Sequence, residues 1–95
     1  MQKEIAQALV DGLGGASNIA EIESCMVRIR VEVHNPLKVN DDALRVGPVI
    51  ALVRVDEVIQ IVAGEASEEL AAHMLQLCKA QEDKLTSVTA PRHAS

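Results

Sequence analysis

Residues 25–30, Cys-Met-Val-Arg-Ile-Arg, set a thiol ahead of two guanidiniums that are spaced by two. Residues two apart on a strand share a face and lie roughly 6.6–6.8 Å apart along it. Arg28 and Arg30 would therefore project from one side of a strand. Two guanidiniums beside a turn thiol favour the thiolate, which is the nucleophilic form. They also supply forked donors that match a phosphoryl or carboxylate group. Each residue has a plainer role as well. An isolated arginine is ordinarily a solvated strand charge, and a cysteine is often a small buried hydrophobe. Cys78 follows Leu77 on an apolar helical stripe with Leu70 and Met74, and is expected in the core. Cys25 sits beside Ser24 in an expected turn, where functional groups concentrate. From these residues alone, a nucleophile in a cationic cradle and an ordinary polar strand both stay open.

Other chemistry is sparse. His34, His73 and His93 are scattered, and no His/Cys/Asp/Glu cluster has zinc spacing, so no metal or cofactor is expected. Gly12-Leu13-Gly14-Gly15 does not follow a strand, so it is taken as a helix stop and not a phosphate loop. The net charge of −5 and the absence of Phe, Tyr and Trp argue against nucleic acid or an anionic membrane as partner. No apolar run is long enough to span a bilayer, and the N-terminus lacks a signal-peptide core, so a cytoplasmic location is expected. Two cysteines in a reducing compartment do not make a disulfide framework.

The elements that must position the thiol follow from periodicity. Ile5, Leu9 and Leu13, with Ala6 and Ala8, predict a first helix stopped by Gly14 and Gly15. Ile19 and Ile22 mark a short extended segment. Residues 26–33 then alternate cleanly: Val27, Ile29, Val31 and Val33 form one face, and Met26, Arg28, Arg30 and Glu32 the other. The two segments suggest a hairpin with Cys25 at or beside its turn. Pro36 lies in a connector, and Asp41 to Val46 predict a short second helix ended by Gly47. A second hairpin turns at Asp56-Glu57 and ends at Gly64. A third helix starts at Ser67, a candidate N-cap. The sum is one α+β domain over residues 1–80, ordered helix-strand-strand-helix-strand-strand-helix, with its helices on one side of the sheet. Residues 81–95 are expected to form a flexible tail.

The stretch GGASNIAEIESCMVRIRVEV resembles the phosphocysteine segment of the IIB domains of the bacterial sugar phosphotransferase system, glucose superfamily. That family shows GG-x-x-NI, then a cysteine, then a hydrophobic–Thr–Arg–hydrophobic–Arg run. Downstream, Val39, Leu44, Gly47, the pair Ile59-Gln60 and Gly64 fit the family pattern in order, so the resemblance covers residues 3 to 78. It implies a four-stranded antiparallel sheet with helices on one face, the fold that periodicity predicts with three helices. It implies that Cys25 is phosphorylated by a IIA phosphohistidine protein, with Arg28 and Arg30 holding the phosphoryl oxygens and Asn18 structural. The group would pass to a sugar, glucose or N-acetylglucosamine, bound by a membrane IIC permease, with no cofactor; a monomer is the default expectation for the chain. The family threonine is here Val27, and Pro48 replaces a small residue. Two other roles stay open: a regulatory or binding module that keeps the fold without relaying, and a redox-active thiol protein, which would lack a resolving cysteine near Cys25.

Overall fold

The computed structural model describes residues 2–89, with side chains as far as residue 80. Helix α1 runs Gln2–Gly12, strand β1 Ile19–Cys25, strand β2 Arg28–Val33, strand β3 Ala51–Val55, strand β4 Val58–Val62 and helix α2 Ser67–Thr89. Short 3-10 turns occupy Ala16–Asn18, Pro36–Lys38, Asp42–Leu44 and Gly64–Ala66. The strands form one antiparallel sheet in the order β1-β2-β4-β3. The α+β class and the four-stranded antiparallel sheet agree with expectation.

The helix count does not. The described residues contain two α-helices, because the expected middle helix is a single 3-10 turn, Asp42–Leu44. Gly47, at φ +48°, and Pro48 follow too soon for a second turn to form, and a lone turn does not offset its nucleation cost. The segment still packs. Leu44 is fully buried, and Val39, Val46 and Val49 lie against the core. Arg54 of β3 anchors it by donating to Asp41 Oδ1 and to the Pro36 carbonyl, both at 2.8 Å.

Helix α1 stops where the glycines predict. Gly15 N–H donates to the Val10 carbonyl at 2.9 Å and Gly14 N–H to Asp11 at 3.1 Å. Gly14 has φ +102°, a backbone state that a Cβ opposes. The helix is thus closed by a Schellman motif. At the other end of the chain, α2 continues to Thr89, past residue 80 where the domain was expected to end. Ser67 is not a cap but the first helical residue, buried, with no partner for its Oγ. Residues 90–95 of the expected tail lie outside the described residues.

The core is wholly aliphatic. Leu9 of α1, Leu13 just after it, and Leu70 and Met74 of α2 meet Ile29, Val31, Ile59 and Ile61 from the inner face of the sheet, all fully buried. The period-2 burial of β2 leaves Arg28 and Arg30 on the opposite, open face. No helix among the described residues is long and apolar enough to cross a membrane.

Candidate functional site at the first hairpin turn

Cys25 is the last residue of β1 and is exposed. Met26 and Val27 make the turn, and Met26 takes a left-handed φ of +57°. Arg28, the first residue of β2, is the Cα partner of Cys25. Residues directly opposed in a ladder share a face, so the open face can be followed rung by rung. Cys25, Arg28, Val62 and Ala51 form the first rung; Glu23, Arg30, Gln60 and Val53 the second; Glu21, Glu32, Val58 and Val55 the third. Cys25, Arg28 and Arg30 therefore come together on one surface.

The two arginines are held differently. Arg28 Nη1 donates to Gln60 Oε1 at 2.9 Å. Arg30 Nη1 lies 3.8 Å from Glu23 Oε1, and both of those side chains are exposed. The first contact is a hydrogen bond, whereas the second is a loose surface ion pair of little energetic weight. The turn itself is pinned from below. The Val27 carbonyl accepts from Ala63 N–H at 3.1 Å and from Gly64 N–H at 3.0 Å, so the hairpin tip is fixed to the approach to α2. Its side chain is half exposed and supplies no hydroxyl.

Asn18 lies away from this surface. It is buried, and its Nδ2 donates to the carbonyls of Leu13 at 2.7 Å and Asn35 at 3.0 Å, while its Oδ1 accepts from Asn35 N–H at 2.9 Å. It ties the end of α1 to the exit of β2. Cys78 departs from the expected core position. It is half buried on α2 and lines, with Ile19, Ile22, His34 and Leu75, a groove of about 660 Å³ between α2 and the β1 edge. The stripe that buries Leu70 and Met74 has rotated partly outward by residue 78.

Gln60 had no role assigned from the sequence, although it contacts Arg28. The signal was present: it is the single polar residue in Val58-Ile59-Gln60-Ile61-Val62, and period 2 puts it on the face of the arginines. Glu23 was also missed. It stands two residues before Cys25, on the same face.

Residues 7–40, which hold Asn18, Cys25 and both arginines, match the family model described as phosphotransferase system, EIIB. A Streptomyces coelicolor protein, the PTS system N-acetylglucosamine-specific EIIB component, is 41% identical over 69 residues, covering 73% of this chain and 90% of the relative. A Staphylococcus epidermidis PTS system MurNAc-GlcNAc-specific EIIBC component is 42% identical over 64 residues, or 66% of this chain and 13% of the longer protein. An Aliivibrio fischeri PTS system N-acetylmuramic acid-specific EIIBC component is 33% identical over 86 residues, covering 88% of this chain and 18% of that one. The chain thus spans nearly the whole of the first relative and less than a fifth of the other two. Among solved structures, one domain of the PTS system IIabc component from Clostridium difficile superposes with a TM-score of 0.69 at 25% identity, over 79% of each chain. The 41% identity across nine tenths of a free-standing relative, together with a shared fold, settles the kinship: this chain belongs to the EIIB family of the phosphotransferase system.

Proposed function

We propose that this chain relays a phosphoryl group through Cys25, from a IIA phosphohistidine to a sugar held by a membrane IIC component. The observation that carries the reading is the exposed Cys25 paired with Arg28 across a two-residue turn, with Arg30 on the same face. The Cys25 thiolate attacks phosphorus in line. The S–P bond forms as the P–N bond breaks, and the imidazole nitrogen leaves with the bonding pair. A sugar hydroxyl then attacks the phosphocysteine. The S–P bond breaks, the thiolate is regenerated, and the hydroxyl proton passes to a base of the sugar site or to water.

Such transfers depend on positioning and charge stabilisation more than on covalent work by the protein. Arg28 and Arg30 supply the forked donors that the phosphoryl oxygens require. The relatives named for N-acetylglucosamine and N-acetylmuramic acid favour an N-acetylated amino sugar, and we assign N-acetylglucosamine as the sugar served. The IIC component binds the sugar, so the relay works at the cytoplasmic face of the membrane.

The test is mass spectrometry after incubation with phosphoenolpyruvate, the general phosphotransfer proteins and a IIA protein of an N-acetylglucosamine system. Phosphate on Cys25 is the expected result. Phosphate confined to Cys78 or to a histidine, or an unmodified chain beside a phosphorylated IIA protein, would overturn the assignment.

A further inference from the structure

The two site arginines differ in what holds them, and the difference points to a residue beyond the nucleophile and its cradle. Arg28 ends in a hydrogen bond to the Gln60 side-chain oxygen at 2.9 Å, across the β2–β4 ladder. An arginine has donors only, so the amide must turn its oxygen to the guanidinium. Gln60 is itself confined: it is half buried, with Val58 and Val62 on either side along the same face and Val53 opposite on β3. Arg28 is exposed, and a free side chain of that length would sample many rotamers.

We propose that Gln60 is a positioning residue for phosphoryl transfer. It holds the Arg28 guanidinium in one orientation over the β2–β4 ladder, on the face that carries Cys25, before the phosphoryl group arrives. This rests on the relay through Cys25. The chemistry of the contact suits that task. A carboxylate at residue 60 would order Arg28 equally well but would neutralise it and repel a phosphoryl dianion. A neutral amide orders it and leaves its full charge and its remaining donors for the incoming oxygens. Arg30 shows the contrasting arrangement, with Glu23 at 3.8 Å and both side chains exposed. Arg28 is set in advance, and Arg30 is recruited by the phosphoryl group.

The experiment pairs a structural readout with a kinetic one. Side-chain ¹⁵N relaxation reports the order of the Arg28 Nε–H group. Single-turnover transfer from the phosphorylated IIA protein reports the chemistry. In Gln60→Met, Arg28 is expected to lose its order. The transfer rate is expected to fall roughly tenfold, less than the roughly hundredfold that misplacing a group by about 1 Å can cost, with the concentration of IIA protein for half-maximal rate unchanged. In an Arg28→Gln background, Gln60→Met is expected to change nothing further. Gln60→Glu keeps an acceptor in place, so it is expected to keep Arg28 ordered and thereby to show that residue 60 can be replaced without unfolding.

An Arg28 side chain already averaged in the wild type overturns the proposal. So does wild-type transfer in Gln60→Met, or an equal loss in the Arg28→Gln background. A wild-type chain that takes no phosphoryl group on Cys25 removes the relay itself and this role with it. That failure is told apart because Arg28 would still be ordered by Gln60.

Discussion

Cys25 and Arg28 are Cα partners on the rung of the β1–β2 ladder next to the turn, separated in sequence only by Met26-Val27. The pairing puts the two side chains on the same face of the sheet, because opposed residues project from one side. Cys25→Ser is expected to abolish phosphoryl acceptance, while Cys78→Ser retains it with a modest loss of stability. Half-burial on α2 accounts for that loss. Phosphopeptide mapping of both variants checks the assignment, and label on Cys78 in the wild type would reject it.

The roles of the arginines separate by comparing two reactions at the same sulfur. If they act on the thiolate alone, alkylation by a small reagent and phosphoryl transfer fall by equal factors. If they cradle phosphate, transfer falls further, because a doubly charged group gains more from a guanidinium than a thiolate does. Arg28→Gln is expected to slow transfer by about a hundredfold, the typical effect of removing one preorganised donor. Arg28→Lys is expected to be damaging too, since the ammonium keeps the charge and loses the fork. Wild-type rates in both assays for Arg28→Gln and Arg30→Gln would return these residues to solvated strand charges.

In the proposed relay, Glu23 works against the cradle. It stands one rung from Cys25 and engages Arg30 at 3.8 Å. Its carboxylate repels an incoming phosphoryl dianion and competes for Arg30. Glu23→Gln is therefore expected to accelerate phosphoryl acceptance by a few-fold at low ionic strength, with the gain shrinking as salt screens both effects. Stopped transfer assays at two salt concentrations measure it; a slower variant would contradict the electrostatic argument.

Asn18 offers a stability test independent of the chemistry. Asn18→Ala removes the partner of the Leu13 and Asn35 carbonyls and of the Asn35 N–H. Leaving buried groups unpaired costs about 1–3 kcal/mol each, so a loss on the order of 3 kcal/mol in urea unfolding is expected. An unchanged midpoint would mean that water replaces all three contacts.

The end of the chain is expected to be dispensable. Among the residues whose side chains are described, the α2 members of the core, Leu70, Ala71, Met74 and Leu77, all precede residue 78. Deleting residues 86–95 is expected to leave cooperative unfolding and phosphorylation intact. Loss of the cooperative transition in circular dichroism melts would show that the deleted segment supports the core.

The first hairpin was the most legible part of the chain. Strict alternation over residues 27–33 defined which side chains are buried, and so put Arg28 and Arg30 on the open face with Cys25 at their end. Alternation carries no information about which strand lies alongside, and the hydrogen bond from Arg28 to Gln60 crosses 32 positions of sequence. Gln60 was visible as an odd polar residue, but its partner was not. The expected helix at 41–46 failed for a different reason. One buried leucine in a short run satisfies a helical pattern and a single 3-10 turn equally, and only the packing of Leu44 and the early Gly47-Pro48 distinguish them. Cys78 was misplaced because a stripe on a long helix drifts around its axis, so a residue one step beyond Leu77 meets the rim of the core.

The sheet order makes β1, which carries Cys25, an edge strand. An edge exposes unpaired peptide groups and invites the same strand of another molecule to pair with it. Glu21 and Glu23 alternate along β1 on its open face. A second copy adding itself antiparallel to this edge would bring its own glutamates into the same surface and set carboxylate near carboxylate. The acidic pair thus acts as a gatekeeper against aggregation. Like-charge repulsion works against a second partner for the strand that carries Cys25, which has only one neighbour in the sheet.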